Sequence, residues 1–509
     1  MKTKFFIPIY ILIIACGCTK KFDDLNTDPT SFTALTPAII PQAFAKAEYQ
    51  GIYGDPGIYE LARALFPDYW CQFYADGGGA PSDRYVIVQD WIISQWNSVY
   101  TITVPTLKQI IAATEGTDIG QNGIARIWDA YIWHYQTDFY GPVPYFHAGN
   151  GDLSIPYDSQ QDIYHDLFKV LDTAVNELKT VDASVKPYGD NDLIFHGDIS
   201  QWLKFANTLR LRLAMRISYV EPDLAKEEAE KAIAAGVMTS NDDNAMMDVQ
   251  TASPNGLNLM SPWEGFRMSA SMESYLKGYT DPRLQLYYAP AVSDGEYHGL
   301  RNGLTATQLT DPLNKLDNTS NIGDKWKSDD AATNKLTVMY SAEAYFLRAE
   351  GAVNGWNMGG TAKDLYEEGI KTSMQQWNIT DNTEINNYIN GTSKPVALND
   401  FLSSPAVANI QVAFAADAAT QRQQIATQKW IALFPDGIEG WAELRRTGYP
   451  KLYPLANSDN PDVPKDSIMR RFTFLNYEYQ TNGNAVQQTG IPLLNGPDKA
   501  STRVWWDVK

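Results

Sequence analysis

The stretch "SAEAYFLRAEGAVNGW", Ser341 to Trp356, is followed after a short glycine-rich break by "TAKDLYEEGIKTSMQQW", Thr361 to Trp377. In both segments apolar and aromatic residues recur at i, i+3, i+4 and i+7, the spacing of one buried helix face. The periodicity predicts one helix over Leu336 to Val353 and a second over Ala362 to Trp377. Asn354-Gly355 ends the first, as glycine-rich turns often do. The pair is slightly longer than the tetratricopeptide period of about 34 residues. Ala344, Ala349 and Ala352 supply small surfaces where neighbouring helices must approach closely. Tyr345, Phe346 and Tyr366 are expected to fill the gaps.

The same pattern recurs outward from this pair. Ile124, Ile127, Trp128, Tyr131, Ile132 and Tyr135 form one series. Ile163, Leu167, Val170, Leu171, Ala174 and Leu178 form another. Trp202, Phe205, Ala206, Leu209, Leu213 and Ile217 form a third. Ile425 to Phe434 and Ile438 to Arg446 make a last pair around Pro435-Asp436. Stacked helix pairs bury a continuous core through nearest-neighbour contacts. The expected fold is therefore mainly α: a tetratricopeptide-like helix-pair scaffold with long irregular loops. The scaffold covers about 90–235 and 335–450. Loop-rich parts cover about 236–334, 380–420 and 450–509. They are too aromatic for disorder and should pack over the helices. No Pro/Ser-rich linker divides residues 31–509, so they read as one body.

The chain opens differently. After Lys2 and Lys4, Phe5 to Ala15 is wholly apolar. A permanent span needs about 20 apolar residues, whereas a signal-peptide core needs roughly 7–15. Ala15-Cys16-Gly17-Cys18 puts small residues before a cysteine, the pattern of a bacterial lipobox. Residues 1–17 read as a lipoprotein signal peptide and Cys18 as the acylated residue, with Cys16 as the alternative. Residues 18–30 are polar and unpatterned and read as a tether. An ordinary secretory signal with incidental cysteines is the other reading.

Composition excludes several functions. The chain has 509 residues and a formal net charge of −19, which repels phosphate backbones and argues against a nucleic-acid partner. Beyond the start the only cysteine is Cys71, so there is no disulfide framework. No P-loop, dinucleotide fingerprint, nucleophile elbow or H-E-x-x-H occurs. The five histidines are scattered without metal-ligand spacing. "SNDDNAMMD", Ser240 to Asp248, carries carboxylates but lacks the spacing and central glycine of an EF-hand, so Ca²⁺ has no support there. No cofactor, metal or catalytic residue is expected.

Several motifs occur in a telling order: "TDFYGPVPY" from Thr137, "DLIFHGDISQWLKFANTLRLRLAMRIS" from Asp192, "DPRL" from Asp281, "SAEAYFLRAEGAVNGW", and "TQKWIALFPDGIEGWAELRRTGYP" from Thr427. With the lipoprotein start and "FDDLNTDPT", the chain resembles the SusD/RagB family of Bacteroidetes outer-membrane lipoproteins over nearly its whole mature length. The motifs also have local physical readings. Pro142 and Pro144 forbid continuation of the helix before them. Asp198 reads as an N-terminal cap. Arg445 and Arg446 read as cations at a helix C-terminus. The resemblance implies a non-enzymatic, surface-exposed nutrient binder that pairs with a SusC-like TonB-dependent transporter and takes an oligosaccharide or, in some members, a peptide. A surface glycoside hydrolase and a helical protein–protein scaffold are the competing readings.

A sugar offers an apolar C–H face and a polar rim, so its site wants Trp or Tyr with polar neighbours. Two stretches fit. "FPDYWCQFYADGGGAPSDRY" offers Trp70, Tyr74, Arg84 and Tyr85 around Gly77-Gly78-Gly79. "NLMSPWEGFRMSASMESY" offers Trp263, Phe266 and Arg267. Tyr297, Arg301 and Trp326 are weaker candidates. Trp263 is the leading one, because Pro262 and Gly265 place it outside regular structure. The alternative for Trp70 and its neighbours is that they continue a helix from near Tyr59 into the core.

Overall fold

A computed structural model describes residues 35–150, 152, 154–327 and 334–509. The signal peptide, Cys16, Cys18 and the whole tether therefore lie outside the described residues. Among the described residues no helix is long and apolar enough to cross a membrane.

The longer helices are α1 (Ile40–Gly51), α2 (Gln89–Asn97), α3 (Val104–Thr114), α4 (Ile119–Tyr140), α5 (Gln160–Leu178), α6 (Ile199–Arg216), α7 (Pro222–Ala235), α8 (Ala270–Gly278), α9 (Ser341–Val353), α10 (Ala362–Gln376), α11 (Asn382–Ile389), α12 (Ala418–Leu433) and α13 (Gly437–Thr447). Their starts are chemically marked. Asp118, Ser159, Asp198, Thr361 and Asp417 each accept a hydrogen bond from a backbone N–H two or three residues on. This satisfies donors that the first turn leaves orphaned. Neighbours in sequence pack as pairs: α4 on α5, α6 on α7, α9 on α10 and α12 on α13. α6 and α12 then pack on α9, which joins the pairs into one frame.

The α9–α10 pair is close because Gly369 faces Phe346: a Cβ there would lie 3.0 Å from the Phe346 ring. Ala344 and Ala349 are fully buried, as the small-residue reading expects, and so are Phe346 and Tyr366. Tyr345 stays half-exposed, its hydroxyl donating to the Thr239 carbonyl at 2.8 Å. The helix starts at Ser341 and not at Leu336. Leu336–Met339 is instead strand β4, paired antiparallel with β2 (Ala245–Met247). All four residues of β4 are buried, and a short apolar run of that kind cannot be told from a helix segment by periodicity.

The scaffold's core holds charge as well as carbon. Helix α6 buries Arg210, Arg212 and Arg216. Arg212 meets Glu343 of α9 at 2.6 Å, and Arg216 meets Glu439 of α13 at 2.5 Å. Lys429 of α12 stands 3.3 Å from Glu439 and 3.4 Å from Glu443. Buried ions persist when paired this fully and are costly when a partner is removed. Arg445 and Arg446 belong to this interior. Arg445 lies over the Trp441 ring at 3.6 Å, so both arginines are core residues as well as helix-end cations.

Candidate functional site

Two short strands bring the aromatic stretches of the sequence side by side. β1 (Tyr74–Asp76) pairs antiparallel with β3 (Phe266–Met268), in the register Tyr74↔Met268, Ala75↔Arg267 and Asp76↔Phe266. Beyond β1 the Asp76 carboxylate gathers the backbone N–H groups of Gly78, Gly79 and Ala80. Gly79 sits at φ +94°, where a side chain would be strained. The Gly77 N–H donates to the Gly265 carbonyl at 2.7 Å, tying this loop to the turn before β3. That turn, Ser261–Trp263, starts a 3₁₀ helix on Pro262 and ends at Glu264 with φ +58°. Trp263 therefore projects from a turn, with 47% of its surface exposed.

A third segment braces the face. The Asn321 side chain donates to the Ser261 carbonyl at 3.3 Å. The Ser320 N–H donates to the His298 carbonyl at 2.8 Å. Residues 319–322 thus lie next to both the Trp263 turn and the loop carrying Tyr297. Tyr297 is half-buried. Burial, together with Asp324 and Glu296, raises its phenol above the ordinary value. Trp263, Glu264 and Asp324 are exposed and Tyr297 is half-buried, so these joined segments, the Trp263 rim, present rings and carboxylates to solvent.

The other candidates from the sequence are placed differently. Trp70 is buried against Phe66, Trp441 and Phe472 and donates Nε1 to the Ser82 carbonyl at 3.1 Å. Tyr74 is buried against Phe266, Tyr288 and Phe434. Phe266 stacks on Tyr69, with ring centroids 5.3 Å apart. Trp326 is buried against Trp377 and Phe434. These rings are buried and have no free face for a ligand, although the helix ends at Trp70 and Tyr74 stands in strand β1. Tyr85 is also buried and donates its hydroxyl to the Ser467 carbonyl at 3.0 Å. Arg84 is engaged by Asp459 at 2.6 Å and the Leu304 carbonyl at 3.2 Å. Both residues clamp the 81–85 turn onto the C-terminal segment. Arg301 is held by the Pro454 carbonyl at 2.6 Å and lies over the Tyr453 ring.

Arg267 is an intermediate case. Its side chain is buried beneath the Trp263 turn, with Nη1 3.5 Å from the Thr319 carbonyl and Nη2 4.0 Å from Glu264. Its Nε has no partner. Burial lowers its pKa, and Glu264 and Asp317 oppose the shift. A cation so weakly neutralised strengthens the local field at the rim from below.

The sequence reading included Asp83 and Glu264 among the polar groups of these stretches but passed over Asp76, whose carboxylate shapes the glycine loop. Asp83 is buried under the glycine loop. It accepts from the Gly303 N–H at 2.8 Å and from the Asn302 side chain at 2.6 Å. The signal available was Asp76 immediately before three glycines: a carboxylate needing donors beside three unobstructed N–H groups.

No His, Cys, Asp and Glu group among the described residues could hold a metal ion. An α-helical frame that holds a ring-bearing turn on braced loops defines a binding scaffold. The chain belongs to the SusD-like family: the family model described as "Susd and RagB outer membrane lipoprotein" matches residues 20–507. It is 37% identical to a chitin-binding SusD homologue from Flavobacterium johnsoniae, with a TM-score of 0.85, over 92% of this chain and 99% of that one. A SusD homologue from Bacteroides uniformis ATCC 8492 is 30% identical, with a TM-score of 0.85, over 93% of this chain and 100% of that one. A structure described as a chitin-binding protein is 30% identical, with a TM-score of 0.76, over 92% of this chain and 100% of that one. No curated protein matches. The mainly α, tetratricopeptide-like fold expected from the sequence is the fold of these homologues.

Proposed function

We propose that this chain is a surface lipoprotein of the outer membrane that binds a chitin-type oligosaccharide at the Trp263 rim. It then passes the ligand to a SusC-like TonB-dependent transporter. Cys18, or Cys16, carries the lipid anchor, and the chain itself performs no chemistry. The observation that carries the reading is the pairing of an exposed tryptophan on a braced turn with a 37%-identical chitin-binding homologue of the same fold. A pyranose stacks its C–H face on an indole, and polar rim groups take its hydroxyls.

The test is calorimetry of the mature chain against N-acetylglucosamine oligomers, starch, levan and xylan oligomers and a mixed peptide pool, with chromatography of the ligands afterwards. Binding of the N-acetylglucosamine series with ligands recovered intact is expected. Binding only of peptide, or cleavage of any glycan, would overturn the reading.

A further inference from the structure

The Trp263 rim leaves a second concavity unexplained. A cleft of ≈ 380 Å³ opens between the end of α2, the π-helical turn Ser98–Thr103 and the short helix Asn476–Thr481. Trp96 and Tyr100 form its floor, stacked with centroids 4.3 Å apart at an interplanar angle of 27°. Tyr477 stands at its edge, 48% exposed. It shares no residue with the Trp263 rim. It adjoins a second trough through Thr481 and Asn482, where Gln480, Asn484 and Gln487 add amide side chains.

The charge in this cleft is lopsided. Glu478 lines it yet is only 7% exposed. Its Oε2 accepts from the Tyr157 hydroxyl at 2.9 Å and from Asn482 Nδ2 at 3.3 Å. Oε1 takes no hydrogen bond among the described residues. Asp152 adds a second carboxylate, and no Lys, Arg or His lines the cleft among the described residues. Lys108 reaches the neighbourhood, but its ammonium donates to the Ala148 carbonyl. Burial raises the Glu478 carboxyl above its ordinary value; the hydrogen bonds from Tyr157 and Asn482 oppose the rise, and no cation does. A buried carboxylate without a cation is costly. An anionic sugar would be repelled here, and a neutral one would leave Glu478 uncompensated.

We propose that this cleft is a second glycan subsite selective for a cationic amino sugar, with the pyranose face on Tyr477 and the free ammonium at Glu478 Oε1. Aromatic walls beside the carboxylate add cation–π attraction for the same group. The amide-rich trough offers room for the next sugar unit. A flat ring face flanked by amides favours a sugar over the lysine side chain of a partner protein.

The test is calorimetry of the mature chain with two probes, the fully deacetylated glucosamine trimer and its N-acetylated counterpart. The deacetylated trimer should bind the unchanged chain, with affinity falling as salt rises. Tyr477→Ala, at an exposed position, and Glu478→Gln, which keeps an acceptor for Tyr157, should each weaken it at least tenfold. Neither should alter binding of the acetylated trimer, whereas Trp263→Ala should weaken the acetylated trimer and spare the deacetylated one. Failure of the deacetylated trimer to bind, or unchanged affinity in Glu478→Gln, would overturn the subsite. Binding of a lysine-bearing peptide at Tyr477 with the sugar inert would also overturn it. None of these three overturning outcomes depends on whether Trp263 binds glycan.

Discussion

Arg446 grips Glu350 with both prongs of its guanidinium: Nη1 lies 2.8 Å from Oε1 and Nη2 2.5 Å from Oε2. The same Arg446 reaches Glu443 through Nε at 2.7 Å. The first contact fastens α13 to α9, so α13 is locked to the pair that decides the fold. Bidentate geometry of this kind is specific to arginine. Replacing Arg446 with Met would keep the stem's packing but leave two buried carboxylates short of a cation. The expected loss is about 3–5 kcal/mol of stability, read by urea denaturation. A loss below about 1 kcal/mol would mean the network is solvated.

Trp263 is 47% exposed, so under the proposed function it should bear on ligand and not on the core. Trp263→Ala should leave the thermal midpoint within a degree or two, because little buried surface is lost, consistent with small effects at exposed positions. Removing one aromatic platform should cost roughly 1–3 kcal/mol of glycan affinity, by analogy with stacking on other flat ligands. Scanning calorimetry of the free chain checks the midpoint, and titration calorimetry on the N-acetylglucosamine series checks the affinity. A large drop in midpoint together with unchanged affinity would reassign the ring to the frame.

The helix frame was legible because its signals are local. Asp198, Ser159 and Thr361 mark starts, and Trp202, Phe205 and Leu209 keep a helical period into the core. What local pattern could not carry was partnership. Arg210, Arg212 and Arg216 make α6 look solvent-facing, yet carboxylates from α7, α9 and α13 let all three be buried. Likewise nothing within "PDYWCQFY" tells that Trp441 and Phe472, hundreds of residues away, close over Trp70. Trp263 was separable because Pro262 and Gly265 act locally. Leu336–Met339 was misread because the strand exists only through its distant partner β2.

Gly437 shows how tightly the first turn of α13 sits on the N-terminal part of the chain. A Cβ there would come 2.0 Å from Asp68 Oδ1 and 2.7 Å from the Asp68 Cα, and the latter is backbone that cannot swing away. Gly437→Ala should therefore destabilise by about 1–3 kcal/mol, the usual scale of overpacking. Gly483→Ala is the control: a Cβ there meets nothing within 4 Å. It should be neutral or stabilise by about 0.4–1 kcal/mol through the unfolded chain. Thermal melts of the two variants should move apart; equal shifts would contradict the packing.

Buried carboxyls of two kinds should give the protein a stability maximum on the acid side of neutral. Burial pushes Asp68 up to about 7, with Asp436 adding to the shift and Arg63 opposing it. Burial and Asp76 likewise push Asp83 up to about 7. Unfolded, both titrate near 3.9. Their contribution is therefore complete below about pH 3.9 and is lost as pH rises towards 7. Glu443 is the reverse: burial alone would raise it, but Arg446 and Lys429 hold it at about 2. Its contribution is present above about pH 4.3 and is lost as pH falls towards 2. The two windows meet between about pH 4 and 5, where stability should peak. Asp68→Asn fixes one carboxyl in its uncharged form, so its stability should fall less steeply from pH 5 to 7, by up to about 1.4 kcal/mol per pH unit. Urea unfolding at half-unit steps from pH 3 to 8 checks this. Parallel curves for the two proteins would show that Asp68 is ionised in the folded chain.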